Sequence, residues 1–251
     1  MFLRNHDELD LGRLLPAERQ TVFDAFGPEP DMQLYERGIR RRLAPMLAGD
    51  RRRIELAYSL MFTLPGTRVM RYGDELGMGD DLKLPERNCA RTPMQWSNEP
   101  HGGFTKSDKP VLPVISGGPY GFEHINAAIQ RRHDDSMLNW TERIIRMRKE
   151  VPEIGWGDYE ILGLRDPAIL AMRYDWRNNS VVFLHNLDAK AREITFDVGL
   201  EGEGGRLLIN LLSEDHSRAQ EDGKHRLVVE GYGYRWYRAG GLDYLLRRTE
   251  A

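Results

Sequence analysis

The chain has 251 residues, of which 30% are charged and 40% apolar, and a formal net charge of -3. This length suits one large domain or a medium domain followed by a smaller one, and the composition is that of an ordinary soluble protein. The near-neutral charge gives no reason to expect nucleic acid or an anionic membrane as a partner.

Targeting and redox signals are few. Cys89 is the one cysteine, so an intrachain disulfide is excluded and we interpret the thiol as an inert small side chain. No apolar run has membrane-spanning length, and the N-terminus turns polar at Arg4, too early for a signal peptide. We therefore predict a soluble, cytoplasmic protein. The sequence carries no signal for an oligomeric state.

The first residues do not resemble the polar lead-in of a typical domain, because the apolar pair Phe2-Leu3 runs directly into polar residues. We expect the chain to begin within a domain. Pro16 then opens a predicted helix with apolar residues at helical spacing, which stops at Gly27. A second amphipathic helix is predicted over 50–64, followed by a short strand over 69–72. This order is one step of an α/β architecture.

A long segment, 73–123, is rich in Gly, Pro, Asp and Asn and has no sustained periodicity. Such a loop is a functional lid or an insertion. Helix returns over 137–150, where apolar positions lie beneath a basic face and Val151-Pro152 ends the pattern.

After Pro152 the period changes to that of strands. Short runs rich in β-branched and aromatic residues alternate with Gly, Asp and Asn turns, which is typical of an antiparallel β-sandwich. The predicted strands are 159–164, 169–174, 181–187, 194–198, 207–212, 226–229 and 234–237. We predict two domains, an α/β domain over 1–154 that includes the loop 73–123 and an all-β domain over 155–251.

Two arginine runs, 40–42 and 51–53, raise the question of nucleic-acid binding. Acidic residues surround both runs, and no aromatic residues are interleaved for base stacking. We interpret them as the solvated face of a helix.

His6 and Asp7 directly follow an apolar pair, as residues do at the C-terminal end of a barrel strand. The string FLRNHDEL, residues 2–9, resembles the seventh-strand block of glycoside hydrolase family 13, the α-amylase family, in its trehalose synthase form. Residues 66–79, GTRVMRYGDELGMG, resemble its eighth-strand block, and residues 87–96, RNCARTPMQW, resemble a loop shared by trehalose synthases and oligo-1,6-glucosidases. The resemblance implies the C-terminal part of a (β/α)8 barrel followed by an antiparallel β-sandwich.

The resemblance also implies roles for individual residues. Asp7 corresponds to the catalytic carboxylate that stabilises the transition state, and His6 to a residue that hydrogen-bonds the glucose where the bond breaks. Arg91 and Arg87 resemble arginines that hold the non-reducing glucose, with an ion pair that pins the loop as the alternative for each. For Trp96 the alternatives are a sugar-stacking residue and a loop anchor.

The remaining acidic residues have no predicted catalytic role. In the family, the segment that contains Asp74 and Glu75 shapes the mouth of the barrel, so we expect structural roles for both. Asp80 and Asp81 lack the oxygen-rich spacing of a calcium loop. We predict no metal and no cofactor in this chain.

The reaction of this family needs a nucleophile and a general acid/base, which its members carry at the ends of the fourth and fifth barrel strands. No block of either kind occurs in this sequence, so we expect the chain alone to be inactive. The implied parent activity is the interconversion of maltose and trehalose by retaining intramolecular glucosyl transfer, with maltose, trehalose or short α-glucosides as ligands. The alternatives are part of an α-glucosidase of the oligo-1,6-glucosidase type and a non-catalytic glycan-binding or regulatory fragment.

Overall fold

The structure is a computed structural model and describes residues 1–200 and 202–240. Position 201 and the end of the predicted 155–251 domain, 241–251, lie outside the described residues. The helices are α1 (Pro16–Phe26), α2 (Leu43–Met46), α3 (Arg51–Thr63), α4 (Ala127–Gln130), α5 (Met137–Lys149) and α6 (Glu153–Trp156). The strands are β1 (Leu9–Asp10), β2 (Gln33–Leu34), β3 (Gly38–Ile39), β4 (Asp158–Ile161), β5 (Ile169–Trp176), β6 (Asn179–Asn186), β7 (Arg192–Phe196), β8 (Leu207–Asn210), β9 (Ser217–Arg218), β10 (His225–Val229) and β11 (Tyr234–Ala239).

The chain divides into two compact units. The first comprises residues 1–54 and 67–143, and the second comprises 55–66 and the described residues from 144 onward. Over the part of the chain that the structure describes, no helix is both long enough and apolar enough to cross a membrane. The predicted domain limits, 1–154 and 155–251, stay predictions.

The three long helices confirm the predicted helices, and each has a local reason for the position at which it begins. Helix α1 begins with Pro16, and the Glu18 carboxylate accepts a hydrogen bond from the backbone N–H of Leu15 at 2.9 Å. The Asp50 carboxylate accepts from the N–H of Arg52 at 3.0 Å and so caps α3. The Ser136 hydroxyl does the same for α5 through Asn139.

In the first unit, residues 69–72 do not form a regular strand, so the prediction of a strand there is wrong. The segment is nevertheless paired: the Met1 amino group donates to the Thr67 carbonyl, and the Val69 N–H donates to the Met1 carbonyl. Met1 makes both bonds, to the two residues that flank Arg68, which is the pattern of a parallel ladder. The pairing is too short to form a regular strand, but it sets Met1 beside residues 67–69 as neighbouring barrel strands lie.

The first unit also has a small three-stranded antiparallel sheet in the order β1-β3-β2. Leu9 pairs with Ile39, and Leu34 pairs with Gly38. Ile39 is fully buried with Phe23 of α1 in a local core, so α1 packs on this sheet. The small sheet therefore fixes the backbone that directly follows Asp7.

The second unit contains the predicted β-sandwich. A six-stranded antiparallel sheet has the order β4-β5-β6-β11-β8-β9, and a two-stranded sheet pairs β10 with β7. Side chains from the two sheets form one core: Ile169, Ala171, Val182, Leu184, Ile194, Phe196, Val198, Leu208, Val229 and Tyr237. Burying each large apolar side chain of this kind stabilises the fold by about 1.5–3 kcal/mol.

The opposite face of the six-stranded sheet is covered by residues of α3 and α6 that belong to the same unit. The Ser59 hydroxyl accepts from the Trp236 indole N–H at 2.8 Å and lies 2.9 Å from His185 Nε2. Arg238 donates to Glu153 at 2.6 Å, and both side chains are buried. Strand β6 is buried on both faces for this reason, which explains its nearly continuous apolar run.

Candidate active site

Asp7 lies six residues after Met1, which pairs with Thr67 and Val69, and the backbone of Asp7 is held from several sides. Its N–H donates to the Asn5 side-chain oxygen at 2.9 Å. One guanidinium nitrogen of the buried Arg4 donates hydrogen bonds to two carbonyls, that of Asp7 at 3.1 Å and that of Ile39 at 3.0 Å. Arg71, from the neighbouring segment, donates to the Asn5 carbonyl at 3.1 Å. The backbone of Asp7 is thus held in place by residues on both sides of it.

The Asp7 carboxylate meets three of the side chains that the sequence predicts for the site. Arg91 Nη2 donates to Asp7 Oδ1 at 2.9 Å, and Arg87 Nη1 lies 3.4 Å from the same oxygen. His6 Nε2 lies 3.5 Å from the other oxygen, Oδ2. The side chains of Asp7 and His6 are 35% and 66% exposed. The structure therefore brings all four predicted site residues together at an open carboxylate.

Glu8 is a further member of this cluster that the sequence analysis did not single out. Arg87 donates to both of its carboxylate oxygens, at 2.7 and 3.1 Å, and the Glu8 side chain is only 4% exposed. This hydrogen bonding by Arg87 lowers the pKa of Glu8. Its position immediately after Asp7 was the available signal. Glu8 is therefore a buried, ionised anchor for Arg87.

The loop that carries Arg87 and Arg91 is organised by the run Arg40-Arg41-Arg42. The Arg40 guanidinium donates to the carbonyls of residues 82, 84 and 86 at 2.9–3.0 Å. Arg41 pairs with Asp80 at 2.9 Å, and Arg42 pairs with Asp74 at 2.9 Å. The interpretation of this run as a solvated helix face is wrong, because Arg40 and Arg42 are buried and donate hydrogen bonds to residues of the loop.

Cys89 contributes to the same arrangement. It is buried in the short 3-10 helix Glu86–Ala90, and its Sγ–H donates to the Arg40 carbonyl at 2.9 Å. Burial raises the pKa of the thiol to about 11, so the group stays protonated at neutral pH. The cysteine is structural, and it fixes the turn between Arg87 and Arg91.

A pocket of about 680 Å³ adjoins Arg91. Its lining includes the half-exposed aromatic rings of Tyr72, Trp96 and Phe104. Glu75 also lines it, and burial raises the pKa of that carboxyl group. The pocket thus combines aromatic faces with several groups able to hydrogen-bond, among them Arg91 and Glu75, which suits a sugar ring. The side chain of Trp96 is exposed here, and its role in sugar stacking or loop anchoring stays open.

The other acidic residues of the loop have structural contacts. The Asp74 carboxylate is buried against Arg42, and Asp80 Oδ2 also accepts from the Arg42 N–H at 2.8 Å. Asp81 Oδ1 accepts from the Lys83 N–H at 3.1 Å. Within residues 1–200 and 202–240, no three His, Cys, Asp or Glu side chains are grouped as a metal site would require. The absence of a metal or cofactor stays a prediction.

Family profiles match both parts of the chain. Residues 39–157 match the alpha-amylase catalytic domain, and residues 179–238 match the sucrose hydrolase-like C-terminal domain. The chain is 37% identical to a trehalose synthase of Thermus thermophilus over 93% of its own length and 24% of that protein's length. It is 34% identical to a trehalose synthase of Pimelobacter sp. over 97% of the chain and 43% of that protein. The chain thus spans less than half the length of these relatives.

Solved structures show the same fold. The trehalose-6-phosphate hydrolase of Bacillus licheniformis matches 96% of this chain and 43% of its own, with a TM-score of 0.62 and 19% identity. The alpha-amylase from H. orenii matches 80% of this chain and 38% of its own, with a TM-score of 0.61. The architecture is therefore part of a (β/α)8 barrel followed by an antiparallel β-sandwich. The chain belongs to the α-amylase family, glycoside hydrolase family 13.

Proposed function

We propose that the chain is the Asp7-bearing part of a trehalose synthase-like enzyme, which interconverts maltose and trehalose by retaining intramolecular glucosyl transfer. In this proposal Asp7 stabilises the transition state, and His6 donates a hydrogen bond to a glucose hydroxyl. Arg91 and Arg87 contact the same glucose unit. The relatives named trehalose synthase, which match almost the whole chain, support this assignment.

The observation that carries the proposal is the arrangement around the Asp7 carboxylate. Oδ1 is fixed by Arg91 at 2.9 Å, while Oδ2 faces the edge of His6 and the side chain stays partly exposed. A retaining glycosidase passes through an oxocarbenium-like state, and a carboxylate held in place beforehand stabilises that charge without reorganising. Such a carboxylate also accepts hydrogen bonds from sugar hydroxyls, which favours distortion of the ring.

The partly exposed His6 and arginines support direct substrate contact. Imidazole adds a donor to an acidic site, and His6 is free to turn toward a ligand because its side chain is mostly exposed. The guanidinium groups of Arg91 and Arg87 present planar pairs of N–H donors suited to vicinal hydroxyls. Each arginine would hold Asp7 and the sugar at once.

We expect the other two catalytic carboxylates to come from outside these 251 residues. Glu8, the second acidic residue of the cluster, is fully engaged by Arg87 and is unsuited to act as nucleophile or acid. The chain alone is then expected to bind short α-glucosides at most. The proposal further includes a cytoplasmic location and a reaction without metal or cofactor.

The test uses the complete gene product that contains these residues. Incubated with maltose, it should release trehalose as the main product, with glucose as the minor one. Glucose as the sole product would favour the α-glucosidase alternative instead. No turnover of maltose or trehalose, combined with measurable binding of either sugar, would favour a glycan-binding role.

A further inference from the structure

The connection between β2 and β3 has an unusual backbone. Leu34 pairs with Gly38, so three residues join the strands. Two of them, Tyr35 and Glu36, have φ angles of 56° and 55°, in the left-handed region. Glycine, asparagine or aspartate normally takes such positions, because other side chains clash there with the backbone. Two consecutive residues of other types in this conformation indicate strain, which proteins tend to retain at functional positions.

The surrounding contacts hold this strained turn in place. Arg19, on α1, donates to the Glu36 carbonyl at 3.0 Å. The Leu11 N–H donates to the Arg37 carbonyl at 2.7 Å, next to the pairing of β1 with β3. These contacts tie the turn to α1 and to the residue that follows β1, the strand that comes shortly after Asp7.

The turn presents the ring of Tyr35 to Arg87. The Arg87 guanidinium carbon lies 5.7 Å from the ring centroid, within the range of a cation–π interaction. The same guanidinium donates twice to Glu8 and lies 3.4 Å from Asp7 Oδ1. Glu8 and Tyr35 thus confine Arg87 to the orientation in which its remaining nitrogen faces Asp7. Tyr35 itself is 47% exposed, so burial alone does not explain its place.

We infer that Tyr35 is a positioning residue, whose ring holds Arg87 in register with the Asp7 carboxylate, and that the strained turn exists to present this ring. The inference rests on the proposed function in one respect, namely that Asp7 acts in catalysis. The attraction comes from the negative face of the ring and needs no hydroxyl group. Phenylalanine at position 35 should therefore still hold Arg87 in place, whereas leucine should not.

The experiment compares Tyr35→Phe and Tyr35→Leu in the complete gene product. The first readout is the side-chain Nε–H resonance of Arg87 in arginine-labelled protein, assigned by its loss in Arg87→Lys. We expect Tyr35→Phe to keep its shift and linewidth, and Tyr35→Leu to move and broaden it. The second readout is maltose turnover, where Tyr35→Leu should lower kcat/KM by about threefold to tenfold and Tyr35→Phe should stay within twofold.

Two glycine variants separate positioning from a structural role. Tyr35→Gly and Glu36→Gly both relieve a left-handed residue, but only the first removes the ring. Tyr35→Gly should lose kcat/KM as Tyr35→Leu does, with a melting temperature no lower than that of the wild type. Glu36→Gly should keep both kcat/KM and the Arg87 resonance.

Two results would overturn the inference. One is a Tyr35→Leu protein with unchanged resonance and turnover, and the other is a Tyr35→Phe protein as impaired as Tyr35→Leu, which would assign the role to the hydroxyl. A failure of the proposed function is recognised separately, by an Asp7→Asn protein that keeps its activity. In that case the Arg87 side-chain resonance still shows whether the ring of Tyr35 holds Arg87.

Discussion

Gly38 lies so close to Glu8 that a Cβ atom on the glycine would be 2.5 Å from the Glu8 Cγ atom. Contacts under about 3 Å force one side to move, so this pair couples strand β3 to the carboxylate that anchors Arg87. The coupling explains why a short sheet outside the barrel strands matters for the site. It also makes the position sensitive to a single methyl group.

We therefore expect Gly38→Ala to lower the free energy of unfolding by about 1–3 kcal/mol, as overpacking does. It should also lower kcat for maltose, because Glu8 and then Arg87 are displaced. Urea denaturation and steady-state kinetics measure the two effects. Gly163→Ala is the matched control, since a Cβ there meets nothing within 4 Å. Equal behaviour of the two variants would contradict the coupling.

Replacing Arg87 by methionine should remove both hydrogen bonds to Glu8 and leave a buried carboxylate without its cation. We expect a measurable loss of stability at pH 7, because the buried Glu8 carboxylate then lacks both hydrogen bonds. Because Arg87 lowers the pKa of Glu8 in the folded protein, this stabilisation is present above the usual glutamate pKa and is lost as the pH falls through the lowered value.

Unfolding free energies of wild type and Arg87→Met, measured between pH 7 and pH 3, check this prediction. The difference between the two proteins should shrink toward acid pH. A difference that stays constant over this range would show that Glu8 gains nothing from Arg87.

His185 predicts acid sensitivity of the second unit. Burial lowers its pKa from 6.5 to about 3, and the residue is fully buried beside Ser59. The unfolded chain takes up the proton first, so stability falls by up to about 1.4 kcal/mol per pH unit below pH 6.5. His185→Gln should flatten this dependence. Identical pH profiles for the wild type and His185→Gln would refute the assignment.

The buried ion pair between Arg238 and Glu153 should behave as a unit. Glu153→Ala leaves a buried arginine charge and should cost about 3–5 kcal/mol, measured by thermal or urea unfolding. Replacing both residues, Glu153→Leu with Arg238→Met, should cost clearly less than the single change. A double variant at least as unstable as Glu153→Ala would argue against the desolvation account.

The second unit was largely predictable from sequence. Runs of β-branched and aromatic residues predicted its long strands, such as β5 and β6. The observed ends of these strands differ from the predicted ends by at most two residues. The structure of residues 69–72 was harder to predict, because the pairing of this segment depends on two backbone hydrogen bonds that leave no side-chain pattern. The strand β9 has only two residues, which is too short for an alternating pattern to predict it.

The candidate site was predictable as far as its motifs reach. Asp7 and Arg91 lie in blocks that resemble the family, whereas Tyr35 stands in a turn without glycine or asparagine at its left-handed positions. The prediction that Arg40 is solvated is wrong because arginine is usually exposed, and only the folded loop supplies the carbonyls that accept hydrogen bonds from the buried guanidinium. Tertiary contacts, absent from any local pattern, decide such cases.

The role of Asp7 is tested most directly by the rate of maltose conversion in Asp7→Asn, with Asp10→Asn as the matched control. Asp10 is an exposed carboxylate three residues further on. We expect Asp7→Asn to lower kcat by at least about 10²–10³-fold with the fold intact by circular dichroism, and Asp10→Asn to stay within twofold. An Asp7→Asn protein that converts maltose at the wild-type rate would contradict the account.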